Sequence, residues 1–216
     1  EIAECAEANC KNHPQWGVGY MGGMPNSQNI WNGFKDGDFR VYSGSWAPFY
    51  NLHKMYAGLR DAWLYCGNEQ AKSLFLHFCN WAIHITSGLS DEQMERMLGN
   101  EHGGMNEVLA DAYAITHEQK YLDCAKRFSH KRLFTPMSQR QDCLDNMHAN
   151  TQVPKVIGFE RISELSGNED YHVASSFFWD IVTGERSLAF GGNSRMGSFR
   201  LSSRVVPDRC SATLRL

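Results

Sequence analysis

Residues 59–81 read LRDAWLYCGNEQAKSLFLHFCNW. The same pattern returns at 109–131 as LADAYAITHEQKYLDCAKRFSHK and at 159–181 as FERISELSGNEDYHVASSFFWDI. The three segments align without a gap at a period of 50 residues. Leu59, Leu109 and Phe159 share a phase, as do Ala62, Ala112 and Ile162, and Phe78, Phe128 and Phe178. Self-similarity at such a spacing marks stacked supersecondary units, none of which buries its apolar face alone. Met55, Leu59, Ala62 and Trp63 fall on one helical stripe, and Met105, Leu109, Ala112 and Tyr113 repeat it. Gly67 and Gly167 stand where a helix stops in a left-handed turn, and His117 takes that place in the middle unit. A second helix follows, with Leu74, Phe75 and Phe78, then Cys124, Ala125 and Phe128, then Ala174, Ser175 and Phe178 as its inward residues.

Each unit therefore reads as an αα-hairpin, and the chain as all-α. Hairpins of this length stack as an open solenoid or close into a ring. A period of 50 with long connections fits a ring of six, the (α/α)6 toroid, of which 216 residues supply three to four hairpins, about half. Half a ring leaves apolar edges, so the expectation is an inactive and poorly soluble fragment.

The composition agrees with a folded core: 42% of residues are hydrophobic and 12% aromatic. A net charge of −3 carries no clustered basic face, which argues against a nucleic-acid partner. No run of 18 apolar residues encodes a membrane span. No leader pattern follows Glu1. Seven cysteines, at 5, 10, 66, 79, 124, 143 and 210, form no CxxC and read as free, mostly buried thiols. Gly17, Gly19, Gly22 and Gly23 read as a loop of close backbone approach rather than a dinucleotide fingerprint.

Polar side chains collect before each first helix: Tyr50-Asn51-Leu52-His53-Lys54, Asn100-Glu101-His102-Gly103-Gly104 and His148-Ala149-Asn150-Thr151-Gln152-Val153-Pro154. The three stretches share a phase, at 51, 101 and 151, so the repeat predicts them at the same end of the structure. There they would line a polar pocket for a hydroxyl-rich ligand, with Trp46, Phe49 and Tyr50 available to stack on a sugar face. Structural readings stand beside this one. Asn100 or Glu101 would serve as a helix cap, His53 as a helix-start histidine bonded to a carbonyl, and His148 as part of a structural polar loop. Glu107 and Asp111, one turn apart, read as groups that tie neighbouring helices or loops together.

The runs YNLHKMYAGLRD (50–61), EHGGMNEVLAD (101–111), HANTQVPKVIG (148–158) and GGNS (191–194), in this order, resemble the N-terminal half of the β-L-arabinofuranosidase catalytic domain of glycoside hydrolase family 127 and the related family 146. The resemblance covers residues 17–194. It implies an (α/α)6 catalytic domain and retaining removal of terminal β-L-arabinofuranosyl residues from plant-type glycans. It also implies a zinc-bound cysteine thiolate as nucleophile and a glutamate as acid/base. Those groups lie beyond GGNS in the family, so no catalytic or metal-binding residue is expected in this chain, and zinc belongs to the full-length family. By motif match, Glu101, His102, His148 and Gln152 are expected to contact the terminal sugar, with Asn106 and Glu107 in support. The partner implied is a carbohydrate ending in L-arabinofuranose. The family suggests a periplasmic or secreted location.

Residues 195–216 depart from the pattern, with five arginines and one acid, Asp208. They are expected to be an out-of-frame, artificial or disordered tail following a domain at 1–194. Two other function classes fit an all-helical repeat: a sugar epimerase or uronyl hydrolase on the same ring, and a non-enzymatic helical-repeat binding module.

Overall fold

A computed structural model describes residues 19–189 and 191–199. Cys5, Cys10, Gly17, Cys210 and the rest of the 200–216 stretch lie outside them. The described residues form ten α-helices and one short β-hairpin, an all-α architecture built of helical hairpins. They fall into two compact units that divide between His130 and Lys131.

The first unit contains α1 (Ser27–Asp36), α2 (Arg40–Gly44), α3 (Pro48–Cys66), α4 (Glu69–Thr86), α5 (Asp91–Leu98), α6 (Met105–Thr116) and α7 (Gln119–Arg127). The pairs α3–α4 and α6–α7 are two of the repeated hairpins, and α6 packs on α3 and α4 as well. The second unit contains α8 (Lys131–Ser138), the third hairpin α9 (Ala149–Ser166) and α10 (Glu169–Ile181), a π-helical turn (Val182–Arg186) and strands β1 (Ser194–Arg195) and β2 (Ser198–Phe199).

The hairpin turns fall at the predicted residues. Gly67, His117 and Gly167 close the first helix of each pair with φ of 65°, 58° and 66°. Each N–H donates back to the carbonyl four residues earlier, at 2.9, 2.7 and 2.8 Å. Asn68 and Asn168 then start the second helices by accepting from the backbone N–H of Ala71 and Asp170. The second-helix faces are as read: Leu74, Phe75, Phe78, Cys124, Ala125, Phe128, Ala174, Ser175 and Phe178 are all buried.

The first-helix stripe is buried in the second hairpin, at Met105, Leu109 and Ala112, but not in the first. Met55 is exposed, and Leu59, Ala62 and Trp63 are half-buried. An aromatic cluster that recruits Trp31 and Phe34 from ahead of the repeat accounts for the difference. Trp31 meets Phe34, Phe49 and Trp81 edge-on at 5.0–5.3 Å, and Phe49 meets Phe128 at 5.2 Å. Burying such rings contributes on the order of 2 kcal/mol or more each, enough to set which face of α3 turns inward. That face is Phe49, Leu52 and Tyr56. Tyr56 lies parallel to Phe78 at 3.8 Å and donates to its carbonyl.

In the second unit, Phe134 of α8 packs on Tyr171 and Phe159 at 4.3 and 5.3 Å. Arg186 is buried and donates to Asp142 and Asp145 at 2.6 and 2.7 Å, which anchors the π turn to the 142–145 loop. Ser194 and Arg195 pair antiparallel with Phe199 and Ser198. Phe199 is buried against Phe178, so residues 194–199 are an integral part of this unit.

Among the described residues nothing lies within 4 Å of a Cβ placed on Gly67 or Gly167, so backbone conformation is what resists a side chain there. Gly67→Ala and Gly167→Ala should each lower stability by about 1 kcal/mol in urea titrations, and His117→Gly should raise it by up to about 1 kcal/mol.

Candidate functional site

In the first unit the candidate residues are organised by one close contact. His53 sits in the second turn of α3, and the 99–104 loop crosses its imidazole. A Cβ on Gly103 would come 2.6 Å from His53 Nδ1, and one on Gly104 would come 2.9 Å from Nε2. No side chain fits between, and Gly103 also has φ of 57°. The two glycines of the EHGG run are therefore required by a histidine fifty residues earlier. His53 is buried and neither ring nitrogen has a hydrogen-bond partner among the described residues, so no carbonyl there holds it as a helix-start histidine. Burial, followed by the positive charges of Lys54 and Arg60, pushes its pKa down to about 4.

Glu101 is half-buried, while His102 and Asn106 are wholly buried. The helix begins at Gly104 without a side-chain cap, so neither Asn100 nor Glu101 acts as one. His102 donates from Nδ1 to the Asn100 carbonyl at 3.1 Å, and its ring meets that of His130 at 6.0 Å. Glu107 and Asp111 both bind Arg60 of α3, at 2.9 and 2.6 Å, and Asp61 adds a third contact at 2.9 Å. Burial works against the Arg60 charge, but these carboxylates hold its pKa above the ordinary value. This pairing ties α3 to α6, and its partners were separable in sequence only through the repeat.

The aromatic residues divide. Phe49 is fully buried in the core and cannot stack on a ligand, which corrects the sequence expectation. Trp46 is 75% exposed and meets Tyr50 edge-on at 6.1 Å. Asn51 Nδ2 donates to the carbonyls of Trp46 and Ala47, both at 3.1 Å, and fixes the backbone that presents the indole. Lys54 lies 4.8 Å from the Tyr50 ring centre.

In the second unit, His148 is exposed at the start of α9 and Gln152 is buried one turn later. Gln152 Nε2 donates to the His148 carbonyl at 3.3 Å, and His148 Nδ1 lies 2.8 Å from the Thr151 hydroxyl. The β1–β2 turn covers the other side: the Ala149 N–H donates to Gly197 at 2.7 Å and the Phe199 N–H to Met147 at 2.8 Å. A Cβ on Gly197 would come 3.1 Å from the His148 ring. Sequence reading missed this wall, because two-residue strands carry no periodic signal.

The zinc thiolate implied by the resemblance finds no match among the described residues. No group of three or more His, Cys, Asp or Glu there could hold a metal ion. Cys79 and Cys124 are buried, and burial pushes Cys124 up to about 12 and Cys79 well above the ordinary value, which opposes thiolate formation.

The His53 environment has a pH consequence. Its folded pKa lies below that of an unfolded histidine, so the unfolded chain takes up the proton first as pH falls. The contribution is complete above about pH 6.5 and is lost on descending towards about pH 4. It amounts to at most about 3 kcal/mol. Denaturant titrations at pH 7 and 4.5 should show a smaller pH-dependent loss for His53→Asn than for the parent. An equal loss in both would refute the assignment.

Among the described residues no helix is long and apolar enough to cross a membrane. No curated protein matches the chain. A family model described as Beta-L-arabinofuranosidase, GH127 catalytic domain, matches residues 3–211, nearly the whole sequence. The fold of helical hairpins agrees with that match, and the chain belongs to the catalytic-domain family of GH127, a family of glycoside hydrolases.

Proposed function

We propose that this chain recognises the terminal sugar in a retaining β-L-arabinofuranosidase acting on plant-type glycans. The observation that carries the reading is the interlock of His53 with Gly103-Gly104, which presents Glu101 at the start of α6 in a member of this family. Glu101 and His148 are the accessible members of the two polar clusters, and we assign them to direct contact with sugar hydroxyls. His102 and Gln152 form the buried polar layer beneath each, with Asn106 and Glu107 in support. A site that matches hydroxyls one by one discriminates strongly, because a wrong sugar leaves buried polar groups unpaired. Bond cleavage is not assigned to the described residues: Glu107 and Asp111 are held by Arg60, and Cys79 and Cys124 stay protonated. Trp46 and Tyr50 are assigned as the platform for the sugar next to the terminal one.

The protein as its gene encodes it should release L-arabinose from a chromogenic β-L-arabinofuranoside and leave unsaturated uronides and amino sugars untouched. The opposite preference would overturn the reading. Glu101→Gln and His148→Ala should each lower kcat/KM by about tenfold or more, the cost of one lost hydrogen bond to a charged or buried partner. Trp46→Ala should raise KM for arabinan oligosaccharides by about tenfold and leave the small chromogenic substrate unchanged.

A further inference from the structure

Lys155 occupies the same phase of the repeat as Met55 and Met105. In the second hairpin that position belongs to the core, and Met105 is 0% exposed. Lys155 is 1% exposed, so a lysine stands in the interior where the fold accepts methionine. Lysine is almost never fully buried unless it is paired, because an ammonium group taken from water must recover its lost hydration. Here Nζ donates to Gln152 Oε1 at 3.1 Å.

That bond selects an orientation. With Oε1 facing the ammonium group, the Gln152 amide turns Nε2 towards the helix start, where it donates to the His148 carbonyl at 3.3 Å. The carbonyl belongs to the residue whose ring is held by Thr151 at 2.8 Å and walled by Gly197. The pathway is Lys155 to Gln152 to the His148 backbone, and from there to an exposed imidazole.

We propose that Lys155 is a positioning residue for His148, acting through Gln152. The assignment of His148 to sugar contact rests on the function proposed above, whereas the mechanical link does not. A methionine at 155 would fill the same space and leave the Gln152 amide free to rotate. The His148 ring would then lose its single orientation.

The test uses Lys155→Met, which installs the residue that the repeat itself carries at this phase. In ring-15N-labelled protein, with the His148 signals identified by their loss in His148→Gln, the parent should show one tautomer. Lys155→Met should shift these signals towards a tautomer average. Gln152→Met should produce the same change, and the double variant should add nothing. L-arabinose affinity, measured by calorimetry, should fall about tenfold or more in each. The melting temperature should stay level or rise, because replacing a buried charge with an apolar side chain of similar length is often stabilising.

Unchanged His148 signals in Lys155→Met would overturn the proposal, as would a change that Gln152→Met does not reproduce. Should Lys155→Met fail to fold, Lys155→Met/Gln152→Met removes both polar partners and carries the same test. Unfolding of both variants would make Lys155 a purely structural residue and refute the proposal. A parent protein whose ring signals respond as expected but which does not bind L-arabinose would retain the positioning link and refute the sugar reading.

Discussion

The left-handed residue that closes the first helix of each hairpin is the constraint from which the rest follows. At 67, 117 and 167 the chain reverses through φ near 60°, and each reversal is tied to the helix by a hydrogen bond four residues back. The polar stretches ahead of the reversals share that period in sequence, near 50, 100 and 150, although the first helices themselves begin at Pro48, Met105 and Ala149. Polar residues placed at that phase repeat within hairpins whose apolar second helices need them nowhere else. In the first unit the consequence is direct. His53 at one helix start lies under Gly103-Gly104 at the next, so the loop that carries Glu101 takes its path from a side chain in the preceding hairpin.

The turns and the second helices were readable because they rest on local chemistry. A glycine or histidine in the left-handed region, an asparagine that caps, and an apolar face of period 3.6 all announce themselves within a few residues. The first-helix stripe was readable in the second hairpin and at Phe159 and Ile162 of the third, but not in the first. In the first hairpin, Phe49 is drawn into a cluster with Trp81 and with Trp31 and Phe34, which precede the repeat, and no periodic signal predicts which apolar face such a cluster will claim. The connecting helix α5 did carry a signal: Ser90 and Gln93 form a reciprocal cap. Its eight residues are too few for the apolar stripe to stand out among charges. Helix α8 contains Pro136, which reads as a break in sequence and is tolerated in the fold.

The candidate site was legible as a set of residue types and not as an arrangement. Motif matches pointed to Glu101, His102, His148 and Gln152, but nothing local distinguishes the half-buried Glu101 from the fully buried His102 beside it. Burial depends on what covers a residue. Arg60 shows the same limit, since its partners Glu107 and Asp111 lie 47 and 51 residues away and only the repeat brings them near. The turn at 194–199 lies further still from local signals, because its role comes from backbone bonds to residues 147 and 149.

Comparison of the hairpins at equal phase shows where a repeat scaffold takes in buried polar side chains. At one phase the three hairpins carry Leu52, His102 and Gln152, at the next His53, Gly103 and Val153, and three residues after the first Met55, Met105 and Lys155. All three of His102, Gln152 and Lys155 are buried, where an apolar residue would cost less. The second helices show no comparable exchange, since their inward positions stay apolar or small. Within the three helix pairs, buried histidine, asparagine, glutamine and lysine are therefore gathered at the start of the first helix, while buried His130 and Arg186 lie outside the pairs. Sequences tolerate such conflicts mainly where chemistry compensates for the lost stability. Gathering them around the start of the first helix leaves the left-handed reversal and the second-helix core untouched, so buried polar groups collect at one end of a hairpin while the other end keeps it folded.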